Sequence, residues 1–218
     1  TGTAEGAGER GAAPVPSAGC DAGAASTART EERRDLQVDG TDRWYTVTTP
    51  DAPAGEALPV VFDFHGLSEG AQIHAGMSQY SALARAEGFV VVFPNGTGQP
   101  VRWLASDTTD ANPDLRYVDA VVAQVTADLC VDTARLYVTG LSNGAMMTSL
   151  LACTRADTFA AFAPVAGIFL PEGCDPSRPV PIATYHGTAD PILTFDERVG
   201  DGLCVALGGG DPASTTTT

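Results

Sequence analysis

Ser142 stands in the run Gly140-Leu141-Ser142-Asn143-Gly144, a G-x-S-x-G spacing. A serine hydroxyl attacks a carbonyl only when a base takes its proton and the backbone lifts it clear of the fold. Glycines two residues to either side permit the tight strand-to-helix turn that does the lifting, since side chains there would strike the neighbouring strand and helix. Five residues alone decide little, because a serine N-cap in a Gly-rich turn has the same spelling. Context decides more. "RLYVTG" (135–140) before the motif has strand character and "GAMMTSLLAC" (144–153) after it has helix character, which is where a nucleophile elbow belongs.

Two further stretches carry polar groups of the right kind. "PVVFDF" (59–64) is followed by His65-Gly66, and a backbone N–H of that loop can pair with the N–H of Asn143 as an oxyanion hole. "YHGTADPI" places Asp190 four residues after His186. A carboxylate after a late strand holds a histidine in the required tautomer and stabilises its imidazolium form; a plain turn aspartate before Pro191 is the alternative. The proton acceptor is harder to find. The three histidines are His65, read as shaping the oxyanion loop, His74, read as lying in the following loop, and His186, which closes a strand just before the aspartate. No histidine follows Asp190.

These groups need a frame, and the apolar pattern predicts one. "LQVDGTDRWYTVTTP" reads as two strands joined at Asp39-Gly40, a favoured hairpin turn. Short Val- and aromatic-rich runs at 59–64, 89–94, 135–140, 159–167 and 180–187 do not alternate cleanly, as expected of strands buried on both faces. Helical stretches separate them. "SQYSALARAEG" (78–88) ends on a glycine suited to a helix stop. "DLRYVDAVVAQVTADL" (114–129) lines up Leu115, Val118, Val121, Val122, Val125 and Leu129, with Asp114 expected as its N-cap. Strands alternating with helices predict an α/β domain with a mostly parallel twisted sheet, led in by an antiparallel hairpin.

Residues 1–30 are mostly Ala, Gly, Thr, Ser and Pro with few large apolar groups, and are read as a flexible lead-in. Residues 36–200 form the expected domain, and 201–218 a low-complexity tail. Twenty-seven acidic against twelve basic residues give a net charge of −15, which argues against nucleic acid or an anionic membrane as partner. No run of about 18 apolar residues is present to span a bilayer. Thr1 is not preceded by a basic and apolar leader, so any export signal is expected to have been removed.

The combined runs "RLYVTGLSNGAMM", "FAAFAPVAG", "HGTADPI", "DFHG" and "FVVVFPNG" resemble the secreted α/β-hydrolases of the polyhydroxybutyrate depolymerase and feruloyl esterase family, over roughly residues 36–197. The resemblance implies Ser142 as nucleophile, Asp190 as acid, and the N–H groups of Leu67 and Asn143 as oxyanion-hole donors. Trp103 is similar to a pocket-lining aromatic of the family; a buried packing tryptophan is the other reading. The implied substrate is a polyhydroxyalkanoate, a feruloyl or acetyl ester on plant polysaccharide, or a small ester. No cofactor or metal is implied, and a secreted monomer is expected. In the family the base follows one more strand in a "GHxWP"-like turn, and nothing here matches it. A chain lacking its C-terminal strand and helix is therefore expected, with weak or no hydrolysis by the 218-residue polypeptide. The competing readings are a homologue that binds without catalysis, and a peptidase or dienelactone-type hydrolase on the same fold.

Five cysteines, at 20, 130, 153, 174 and 204, show no metal-ligand spacing. Cys130 lies before the strand leading to Ser142, which rises about 17 Å over 135–139 at about 3.3 Å per residue. Cys153 lies about 16 Å back down the following helix at about 1.5 Å per residue. Equal heights predict a Cys130–Cys153 disulfide and an oxidising compartment, with Cys20, Cys174 and Cys204 unassigned.

Overall fold

The computed structural model describes residues 13–194. Its framework is a six-stranded sheet in the order β1-β2-β4-β3-β5-β6. β1 (Arg29–Val38) and β2 (Thr41–Thr49) form the expected hairpin, with Val38 opposite Thr41 around Asp39 and Gly40. Both turn residues have positive φ, as a two-residue turn matched to strand twist requires. β2 then pairs antiparallel with β4 (Val90–Pro94). β3 (Leu58–Phe64), β5 (Val131–Leu141) and β6 (Ala161–Val165) continue in parallel, with Val60 beside both Val90 and Leu136.

Helices cover both faces. α3 (Pro113–Asp128) and α4 (Asn143–Thr154) pack on the face built from Val60, Phe62, Phe64, Leu136 and Val138. α1 (Gly70–Ser78) and α2 (Tyr80–Glu87) pack on the other, where Ala71, Ala75 and Ala84 meet Val91 and Phe93. Alternate strand residues thus serve opposite layers, which is why the strands read as near-continuous apolar runs. A parallel sheet between helices, with an antiparallel hairpin at its edge, is the expected α/β-hydrolase architecture.

Several expectations change. α1 replaces the loop expected around His74. The α3 cap is Asn112, whose side chain accepts the Asp114 N–H at 2.9 Å. Pro113 at the first helical position marks the start, as Asn-Pro there should. Asp114 is instead buried against Arg43 at 2.8 Å. The strand expected at 180–187 is reduced to two parallel bridges to β6, Phe162 with Ile182 and Val165 with Tyr185. Pro164 and Pro181 face this seam and carry no N–H, so a continuous ladder cannot form.

The lead-in is anchored from Val15 onward, whose N–H donates to Oδ1 of Asp132 at 2.8 Å. Pro16 bridges Asp132, the Ser17 N–H donates to the Val131 carbonyl at 2.8 Å, and Ala18–Ala22 forms a 3-10 turn. This seats Cys20 on Cys130 with a Cα separation of 4.1 Å. Cys153 bonds Cys174 instead, at 5.1 Å, across the loop after β6. The expected Cys130–Cys153 bridge is therefore replaced by two others. Equal height along the strand is one coordinate of three, and each sulfur finds a partner beside it: the N-terminal turn for Cys130, the returning loop for Cys153. Cys204 and the expected tail at 201–218 lie outside the described residues. No helix among the described residues is long and apolar enough to cross a membrane.

Candidate active site

β5 ends at Leu141 and α4 begins at Asn143, so Ser142 is the whole of the turn between them. Its φ of 56° and ψ of −117° are strained for a residue with a Cβ. The turn is held from both sides. The Ser142 N–H donates to the Val165 carbonyl of β6 at 3.0 Å, and its carbonyl accepts the Met146 N–H at 3.0 Å. The flanking glycines explain how closely the turn sits on β3. A Cβ at Gly144 would lie 2.0 Å from the Phe64 carbonyl oxygen, and one at Gly140 would lie 2.5 Å from that of Gly144. Gly167, just past β6, has the same role toward the Ser142 carbonyl, at 2.7 Å. Three backbone segments therefore converge where any side chain would separate them.

The loop after β3 lies against this turn. His65 is fully buried and ties the loop to the one after β4. Its Nε2 accepts the Gly96 N–H at 2.9 Å, leaving Nδ1 to donate to the Gly66 carbonyl at 2.7 Å. This network assigns a neutral ring. Burial pushes its pKa down to about 4, against the opposing pull of that carbonyl. His65 is structural, as its position in the loop predicts.

Trp103 is buried, 2% exposed. Its ring contacts Phe64, His65 and Tyr117, and its indole N–H donates to the His65 carbonyl at 2.9 Å. The Asn143 side chain clamps the Trp103 backbone, accepting its N–H at 2.7 Å and donating to its carbonyl at 3.2 Å. Trp103 thus couples the first residue of α4 to the loop that holds Leu67. The Asn143 N–H opens the helix, where no carbonyl four residues back is available to it. Leu67 is half-buried one residue past Gly66.

Arg43, Asn112 and Asp114 support this wall; motif reading missed the first two and took Asp114 only for a helix cap. Asp114 accepts the Leu104 N–H at 2.8 Å, Asn112 donates to the Leu104 carbonyl at 2.8 Å, and Arg43 lies over the Tyr117 ring. The Asn-Pro-Asp run carried the signal for the cap, while the pairing with Arg43, 71 residues earlier in the chain, carried none.

On the opposite side, Oδ1 of Asp190 accepts the N–H groups of Ile192 and Leu193 at 2.8 and 3.1 Å, folding a tight turn. This turn reaches the elbow through Leu193, whose Cδ1 lies 3.2 Å from where a Cβ on Gly167 would sit. Asp190 and Ser142 are thereby brought to the same end of the sheet. His186 is half-buried at the end of the segment beside β6. His74 points elsewhere, its Nε2 2.9 Å from Asp63 and its Nδ1 3.1 Å from Glu69. Among the described residues no cluster of three His, Cys, Asp or Glu side chains can hold a metal.

The family model for the esterase PHB depolymerases matches residues 44–202. Feruloyl esterase C of Emericella nidulans is 37% identical over 122 residues, 55% of this chain and 43% of that protein. The bifunctional acetylxylan esterase/xylanase XynS20E of Neocallimastix patriciarum is 32% identical over 65% of this chain and 21% of its own length. Feruloyl esterase B of Piromyces equi is 30% identical over 65% of this chain and 28% of its own. The chain spans less than half the length of these three relatives. Among solved structures, a thermostable esterase superposes with a TM-score of 0.59 at 21% identity, covering 82% of this chain and 52% of that one. The acetyl xylan esterase of Aspergillus awamori gives 0.55 at 20% identity, covering 67% and 57%.

Proposed function

The chain belongs to the PHB depolymerase esterase family, and from that premise we propose that it is a serine carboxylic-ester hydrolase working through an acyl-enzyme on Ser142. The observation that carries this reading is the strained turn at Ser142, pressed against β3 by Gly140 and Gly144. Nothing in packing alone calls for a serine with φ of 56° there, whereas a nucleophile must be presented this way. Attack on an ester carbonyl forms the Ser142–acyl bond and expels the alcohol. The oxyanion rests on the N–H groups of Leu67 and Asn143, and water then releases the acid. Asp190 is the triad's carboxylate, whose part is to orient a histidine base. Polyhydroxyalkanoates, feruloyl or acetyl esters of plant polysaccharide and small esters are the substrate classes, in keeping with the names of the relatives. Two disulfides fit a secreted protein.

None of the 28 residues after Asp190 in the 218-residue chain is a histidine, which favours weak turnover by this polypeptide. Loss of one triad member costs on the order of 10⁴–10⁶ in kcat. Prolonged incubation with a fluorophosphonate probe should leave an adduct on the Ser142 peptide, absent in Ser142→Ala, while p-nitrophenyl acetate is cleaved slowly. An adduct elsewhere would remove Ser142 as nucleophile. Hydrolysis at an ordinary esterase rate, abolished by Ser142→Ala, would remove the claim of weak turnover.

A further inference from the structure

Beside the oxyanion loop, three ionisable side chains meet that the ester chemistry does not itself use. His74 on α1 is buried, with Nε2 2.9 Å from Oδ1 of Asp63 on β3 and Nδ1 3.1 Å from Oε2 of Glu69. The same Glu69 oxygen accepts the Gly66 N–H at 2.8 Å. The carboxylate is seated tightly there, since a Cβ on Gly66 would lie 2.9 Å from its other oxygen. Carboxylate oxygens only accept, so a ring facing one at each nitrogen must donate from both, and only the imidazolium does so. The remaining ionisable neighbours are neutral: His65 at the end of β3, and Tyr80 of α2, which hydrogen-bonds Thr139. Burial works against the charge on His74, but the hydrogen bonds and charges of Asp63 and Glu69 outweigh it and raise the pKa above 6.5.

We propose that His74 is a positioning residue for the oxyanion loop: by bridging Asp63 and Glu69 it fixes the carboxylate that holds the Gly66 amide, and so aims the N–H of Leu67. The functional meaning rests on the reading of Leu67 as an oxyanion donor. Without its proton the ring donates from one nitrogen only, so one carboxylate must let go. The Asp63 side chain is 3% exposed and that of Glu69 is 23% exposed. An unpaired carboxylate costs more the deeper it lies, so the Glu69 link yields and the loop loosens as pH rises. The proton on His74 also offsets two negative charges next to a site that must accept a third.

The test is a pH titration of the isotopically labelled protein by NMR, following the three imidazoles together with the Gly66 and Leu67 amides. His74 should be protonated at both nitrogens at pH 7 and titrate above 6.5. The two amide resonances should shift with the same midpoint. Glu69→Gln, at a partly exposed position, should lower that midpoint and flatten the amide response, since its side-chain carbonyl accepts from Gly66 without attracting the proton. Amides that stay flat through the His74 titration, or a His74 ring already neutral at pH 7, would overturn the proposal. No ester turnover is read, so the two ideas fail separately. Flat amides beside a Ser142 adduct remove the role of His74 alone; linked amides without an adduct leave the loop clamp standing and remove the esterase reading.

Discussion

The backbone of Ser142, at φ 56° and ψ −117°, carries a cost of about 1–3 kcal/mol that the surrounding segments must overcome. A glycine tolerates such angles freely. Ser142→Gly should therefore be more stable than Ser142→Ala by about 1 kcal/mol, although both lack the hydroxyl. Urea denaturation of the two variants at neutral pH compares them directly. Equal midpoints would mean that the turn is relaxed and that the geometry carries no signature of a presented nucleophile. The neighbouring glycines restrict the chain in a different way. Gly144 is fixed by proximity to the Phe64 carbonyl, so its requirement is for space, while that at Ser142 is for an unusual dihedral.

Between the elements, the wall of the site depends on a buried ion pair that links the hairpin to a helix. Arg43 of β2 meets Asp114 of α3 at 2.8 Å, both nearly inaccessible. Arg43→Met removes one charge and leaves the other buried, which typically costs about 3–5 kcal/mol. The expected outcome is a loss of that order in chemical denaturation, with the Trp103 fluorescence changed because Asp114 also holds the Leu104 N–H. A double variant, Arg43→Met with Asp114→Leu, should recover much of the loss. How legible each element was follows from where its information lies. The hairpin, α2, the parallel strands and the elbow were readable because local spacing specifies them. α1 was not, because its nine residues include two glycines and few large apolar groups, and tertiary contacts of Ala71 and Ala75 hold it. The 180–187 strand failed for its prolines. Ser142, Gly140 and Gly144 spell out their turn, whereas Asn143 clamping Trp103, or His74 bridging Asp63 and Glu69, are contacts between distant parts of the chain.

At the scale of the molecule, the two disulfides constrain the unfolded chain unequally. Cys20–Cys130 closes a loop with a sequence separation of 110, and Cys153–Cys174 one of 21. Chain-entropy reasoning assigns about 4.7 kcal/mol to a loop near 100 residues and about 3 kcal/mol to one near 15. Replacing Cys20 and Cys130 together by serine should lower stability more than the same change at Cys153 and Cys174, measured as the denaturation midpoint of each double variant. The reverse order would show that local packing by the 168–174 loop matters more than the large loop. The larger bond also has a topological meaning. Four strands, both helices of one face and all of α3 lie on a covalently closed ring. A protease that cuts the exposed turn near Thr109 and Asp110 opens that ring without releasing a piece. The nicked protein, heavier only by the water of hydrolysis, stays one molecule until a reductant reaches Cys20, so backbone continuity and molecular integrity become separate properties.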